Sequence, residues 1–191
     1  MDDRTAVRTD ARADLPAPWP GRRFVVPIGI GVVSGGVLML GGVSADSPAV
    51  PVGVAVLAYL AAGATGMRWM AWAWVVIASL IMTVTTVLDV SWWPWFAVAG
   101  ALIALVGLLR RPRATAAQVA AMLGYFGVAV LALYLEPRIG LALAGLALAA
   151  HAGWDYVHYR KDVVVHRVLA VWCMGLDLTA GLASLVIAAL G

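Results

Sequence analysis

The stretch Trp69 to Arg113, WMAWAWVVIASLIMTVTTVLDVSWWPWFAVAGALIALVGLLRRPR, decides the fold. Two apolar runs, about 69-88 and 92-109, flank a break that carries Asp89 and Pro94. The stretch ends on Arg110, Arg111 and Arg113. Each run is long enough to cross the hydrocarbon core of a bilayer, which takes about 20 helical residues. The runs are apolar on every face, whereas a membrane β-barrel alternates polarity over segments of about 10 residues. The pair therefore reads as two spanning helices joined by a tight turn, with a basic inner end.

Outward from this pair the same pattern recurs at about 24-43, 50-67, 115-135, 138-159 and 166-190, with short breaks of Pro, Asp or Arg. The chain has 191 residues, 63% hydrophobic and only 12% charged, which is outside the range of soluble domains. Seven spans would use roughly 140 residues, and the polar leader before Phe24 takes residues 1-23. What remains covers loops alone, so a soluble catalytic domain and a nucleotide-binding domain are excluded. One cysteine, Cys173, excludes a disulfide scaffold. The expected fold is an all-α integral membrane protein, a seven-transmembrane helix bundle over 24-191.

The leader mixes Arg4, Arg8, Arg12, Arg22 and Arg23 with Asp2, Asp3, Asp10 and Asp14, broken by Pro16, Pro18 and Pro20. It reads as a disordered cytoplasmic tail. Arg22-Arg23, the apolar run and Val43-Ser44-Ala45 imitate a cleaved signal peptide. The run is longer than a signal core of roughly 7-15 residues, which favours an uncleaved first helix.

Bases mark the cytoplasmic side of spans. Arg68 lies in the second break, Arg110, Arg111 and Arg113 in the fourth, and Arg160, Lys161 and Arg167 in the sixth. With the leader included, every one of the 13 bases except Arg138 falls on one side. The N-terminus is expected inside and the C-terminus outside, in a multi-pass cell-membrane protein of bacterial inner-membrane type. A sequence pI near 9.4 is then a topology signal and not a nucleic-acid footprint.

With the inner ends fixed, a rise of about 1.5 Å per residue converts sequence distance into depth. His151 lies as far before Lys161 as Asp177 lies after Arg167, which puts both about 15 Å inside. One turn nearer the cytoplasm, Asp155 and Cys173 share a second level. Consecutive helices with a short connection pack antiparallel, so His151 is expected to face Asp177, and Asp155 to face Cys173. His151, Asp155 and His158 at i, i+4 and i+7 share one helix face, as do Cys173 and Asp177. Ser34, Tyr59, Ser79 and Tyr125 fall within about a turn of the His151 level. This is a polar layer, and ionisable groups at such depth face a cavity or a partner.

Three readings of the layer stay open. A His151-Asp177 hydrogen bond could serve only to glue two helices, with His158 snorkelling at the interface. A carboxylic acid kept in its proton-bearing form by a low-dielectric setting would be a proton donor. His151, Asp155, His158 and Asp177 could instead ligate a metal, since three ligands plus water describe a catalytic zinc site. Nine Trp against three Phe is partly explained by Trp92, Trp93 and Trp95 at an outer interface. Trp72, Trp74, Trp154 and Trp172 lie deeper, where aromatic faces would stabilise a cation. Gly29, Gly31, Gly35, Gly36, Gly41 and Gly42 with Ser34 read as a close-packing surface of the first helix.

The segment His151-Ala152-Gly153-Trp154-Asp155-Tyr156-Val157-His158, followed by Cys173 and Asp177, resembles a signature in small bacterial membrane proteins. In size, span number and buried acids the chain also resembles the membrane-bound terpene cyclases of bacterial and fungal natural-product pathways. That resemblance implies a proton-initiated terpene or prenyl cyclase, an isomerase or lyase of secondary metabolite biosynthesis. Asp177 would be the general acid, His151 its orienting and reprotonating partner, and Asp155 and His158 a proton relay. Trp154, Trp172, Tyr125 and Tyr59 would bind the substrate. The fungal members use a buried glutamate, whereas the only glutamate here, Glu136, sits at an outer rim. The implied partners are a lipophilic, prenylated small molecule and membrane lipid, with no nucleic acid and no cofactor. A metal-dependent lipid hydrolase, and a small transporter or non-catalytic membrane subunit, are the alternatives.

Overall fold

The computed structural model describes residues 24-190. The leader and its expected disorder lie outside the described residues. Within them the chain is all helical, in seven helices whose bounds follow the apolar runs to within a few residues. These are α1 (Val25–Leu40), α2 (Asp46–Thr65), α3 (Met70–Val87), α4 (Trp93–Arg110), α5 (Pro112–Ala132), α6 (Pro137–Lys161) and α7 (Arg167–Leu190). Five of them, α2 to α5 and α7, are long and apolar enough to cross a membrane. The other two differ for visible reasons. α1 is apolar but has 16 residues, and α6 has 25 but is polar along its C-terminal half, where His151, Asp155, His158, Arg160 and Lys161 lie.

Helix starts and stops follow local chemistry. Pro94, Pro112 and Pro137 stand in the first turns of α4, α5 and α6, where a missing N–H costs nothing. The Glu136 carboxylate caps α6 by accepting from the backbone N–H groups of Arg138 and Ile139. Arg138 in turn donates to the carbonyls of Ala188 and Ala189, and so closes the end of α7. At the opposite end Gly66 stops α2 with φ +74°, and the Arg111 guanidinium lies where a Cβ would be. Only glycine meets both demands. Arg68 pairs with the Asp162 carboxylate at 2.9 Å, and Arg167 stands 3.6 Å from the same group. The basic breaks are thereby gathered at one end of the bundle.

α2 is the central helix: 15 of its 20 residues are buried, against four of 18 in α3 and four of 18 in α4. α3, α4 and α5 pack around α2, as does α6, while α7 sits between α6 and α1. The outer faces expose Val76, Leu80 and Val84 on α3 and Leu102, Leu105 and Leu109 on α4. Apolar surface this continuous calls for a non-aqueous neighbour.

Two crossings are set by small residues. Between α1 and α7, a Cβ on Gly31 would stand 2.1 Å from the Trp172 carbonyl oxygen, and one on Gly175 would stand 2.5 Å from that of Ile28. A Cβ on Gly35 would stand 2.8 Å from the Leu176 carbonyl oxygen on α7, but Gly29, Gly36 and Gly42 meet nothing and Gly41 only its own helix, so two of the six expected glycines form the contact. Between α6 and α7, Gly145 lies against Ser184, and Gly181 against the Ala149 backbone. That second approach fixes the register that brings His151 beside Asp177. Trp92 departs from its expected place at the interface. It is buried, packs edge-on against Phe96 and Phe126, and donates its indole N–H to Asp46 at 2.9 Å.

Candidate functional site

Antiparallel packing of α6 on α7 places the His151 imidazole against the Asp177 carboxylate, Nδ1 to Oδ2, at 2.9 Å. Asp155, one turn inward on α6, puts its own Oδ2 at 3.5 Å from the same Nδ1. That is close for a charged pair, yet Asp155 Oδ2 makes no hydrogen bond among the described residues. Side-chain exposures are 0% for His151 and Asp155 and 2% for Asp177. Tyr59 on α2 completes the cluster by donating its hydroxyl to Asp155 Oδ1 at 2.6 Å. Asp155 is thus held by Tyr59, and no hydrogen bond joins it to Cys173 among the described residues.

Rings hold the imidazole plane. Tyr59 and Tyr125 both stand edge-on to His151, with centroids at 5.7 and 5.2 Å. Tyr125 belongs to a π-helical turn, Met122–Phe126, inside α5, and its hydroxyl reaches the Ala150 carbonyl at 3.4 Å. Such turns insert one extra residue and re-aim a side chain.

His158 is set apart from this cluster. Its Nδ1 faces the Trp154 carbonyl at 2.9 Å, and its Nε2 faces the Gln118 amide at 3.2 Å. A nitrogen facing a carbonyl carries the proton, which leaves Nε2 to accept from the Gln118 NH₂. The Tyr59 ring lies 4.7 Å from His158 and also flanks His151, so it stands between the two histidines. No hydrogen bond connects His158 to Asp155 among the described residues. Trp154 rests on His158 with centroids 4.8 Å apart. Gln118, 3% exposed, was not anticipated; it lies as near Arg113 in sequence as His158 lies to Lys161, within about a turn, and the depth rule would have found it.

A cleft of about 240 Å³ opens between α1 and α3 and is floored by α2 and α7. Val54, Ala58, Val75, Leu169 and Leu176 make it apolar, and Ser34 and Ser79 line it with their hydroxyls bound to their own helices. At its floor stand Tyr59, Cys173 and Asp177, with Trp172 beside them. Trp172 stacks on Trp72 of α3 at 5.9 Å. Of the four expected substrate-binding residues, Tyr59 and Trp172 line this cleft. Tyr125 lines a separate groove of about 400 Å³ between α5 and α6, and Trp154 lines neither.

Chemically, the cluster offers a buried imidazole between two carboxylates, one of them facing an apolar cleft. It can hold a proton, or a cation, at a position that a hydrophobic molecule could reach. The chain matches no family model, no curated protein and no solved structure.

Proposed function

We propose that the protein is a multi-pass enzyme of the cell membrane that converts a lipophilic substrate by proton-initiated cyclisation of a terpene or prenyl chain. In this reading all seven helices span the bilayer, with the N-terminus cytoplasmic and the C-terminus outside. Bases gathered at one end of the bundle support that orientation. A helix of 25 residues is about 37 Å long and ample for a span, and the polar inner half of α6 is turned into the bundle, with His151, Asp155 and His158 all buried.

One observation carries the reading. Asp177 faces an apolar cleft on one side and a buried imidazole, backed by a second acid, on the other. Substrate would enter between α1 and α3, where the two helices are separated by the cleft. Asp177, in its acid form, would pass its proton to a terminal C=C bond. The resulting cation would lie against Trp172 and Tyr59. His151 Nδ1 would hold Asp177 in place and return a proton to it, with Asp155 fixing the ring. A cyclisation that ends by losing a proton from the substrate consumes none overall, so Asp177 can be restored to its acid form after each turnover.

The test is to incubate proteoliposomes with prenyl alcohols, prenylated quinols and phospholipids, with and without chelator, and to follow product mass. Cyclisation yields an isomer of the substrate mass, and hydrolysis adds water. Conversion to an isomer by the wild type but not by Asp177→Asn supports the reading; isomer formation undiminished in that variant removes Asp177 as the donor.

A further inference from the structure

Three donor atoms converge behind the floor of the α1/α3 cleft, where Asp177 alone of the three residues lines it: His151 Nδ1, Asp155 Oδ2 and Asp177 Oδ2. One ligand atom from each residue lies within 4.8 Å of the others. Two of the edges are 2.9 and 3.5 Å. In a tetrahedral zinc site, with bonds of about 2.0–2.2 Å to nitrogen and oxygen, ligand atoms stand about 3.3 Å apart. The edges around Nδ1 therefore bracket the value a coordinated ion would impose.

The second observation is the fully buried Asp155 Oδ2, which has no hydrogen-bond partner. Tyr59 takes the other oxygen of that carboxylate and so leaves Oδ2 directed at His151. Ligating carboxylates are held in this way by outer partners. Charge points the same way. Ligation needs both carboxylates ionised and the imidazole neutral; in that state the buried trio would carry two negative charges, which a divalent cation cancels. One imidazole with two carboxylates suits zinc-class ions, whereas magnesium and calcium take all-oxygen shells.

We propose that His151, Asp155 and Asp177 form a binding site for one divalent transition-metal ion of the zinc class, with its fourth position open to the cleft between α1 and α3. His158 is not a ligand, being engaged by Trp154 and Gln118, and neither is Cys173. The inference stands on geometry and not on the cyclase reading; ion and acid proton compete for the same Asp177 oxygen, so the metal-loaded chain would be the form that does not protonate substrate.

The experiment loads the purified full chain in detergent with Zn²⁺ or Co²⁺, removes excess ion with a weak chelator, and reads metal content and cobalt visible absorption. About one ion per chain is expected, with the intense absorption of four-coordinate cobalt. His151→Ala and Asp155→Asn should weaken binding at least hundred-fold, and Tyr59→Phe by about 10- to 100-fold. Cys173→Ser and His158→Gln should retain the full load. Wild-type protein without stoichiometric metal overturns the proposal, as does full loading of folded His151→Ala, or loss of loading in Cys173→Ser. Should His151→Ala not fold, the graded Tyr59→Phe result decides. These readings are of metal alone, so a negative conversion assay does not alter them.

Discussion

Tyr59→Phe is the sharpest perturbation of the cluster, because it removes one hydroxyl and keeps the ring. The ring contacts to His151 and His158 survive, and only the 2.6 Å hydrogen bond to Asp155 is lost. That bond is short, as charge-assisted O–H···O bonds are, and such bonds contribute about 1.5–3 kcal/mol. Side-chain hydrogen bonds between membrane helices average only about 0.6 kcal/mol, since groups find other partners when one is removed. Asp155 has little scope for that: it is fully buried, and its second oxygen already has no hydrogen bond. The loss should therefore lie well above the membrane average, at about 2 kcal/mol, or roughly 30-fold in the unfolding equilibrium. Reversible unfolding in mixed micelles, followed by tryptophan fluorescence, measures it. In an Asp155→Asn background, where the acceptor is neutral, the same substitution should cost about half as much. A loss below about 0.6 kcal/mol in the wild-type background, or no difference between the backgrounds, would refute the account of Tyr59 as the group that aims Asp155.

Helix crossings give a contrast within one helix. Gly31→Ala would drive a Cβ into the Trp172 backbone and should cost about 2–3 kcal/mol, whereas Gly36→Ala, with open space around it, should be neutral or slightly stabilising; thermal melting of both variants checks this, and equal effects would count against the α1–α7 approach. Cys173, the sole cysteine, reports on the cleft. An N-alkyl maleimide dissolved in the bilayer should label it at least ten-fold faster than a sulfonated maleimide added to either aqueous side, and Ser34→Trp at the cleft wall should slow that labelling. Equal rates for the two reagents would place the opening elsewhere.

Much of this organisation was legible in the sequence. Span limits follow from apolar runs ended by Pro, Asp and Arg, and they hold to within a few residues because a helix end needs those breakers. Pairing His151 with Asp177 required only a depth scale and the antiparallel packing of consecutive helices. Depth carries no information about phase around the helix axis, so it does not reveal that the Tyr59 hydroxyl holds Asp155. The same missing coordinate separated His158 from its i−3 neighbour Asp155 and left Gln118 unnoticed as its partner. Proximity to Pro94 marks Trp92 as near a helix start and says nothing of its burial. Gly53 on α2 leaves room there for the Trp92 and Phe96 rings, a tertiary feature that no local pattern signals. The cleft itself depends on α1 and α3 being held apart on α7 and α2, which lies beyond any reading of single helices.

The central claim is that Asp177, backed by His151 and Asp155, is the reactive group met by a hydrophobic substrate. Its most direct test is the rate of product formation from the prenyl panel by reconstituted wild-type protein and by Asp177→Asn, each verified as folded by its melting transition. General acid catalysis contributes about 10²- to 10⁴-fold, so a loss of at least a hundred-fold with the fold intact is the predicted result. Equal rates of conversion by the two proteins would contradict it.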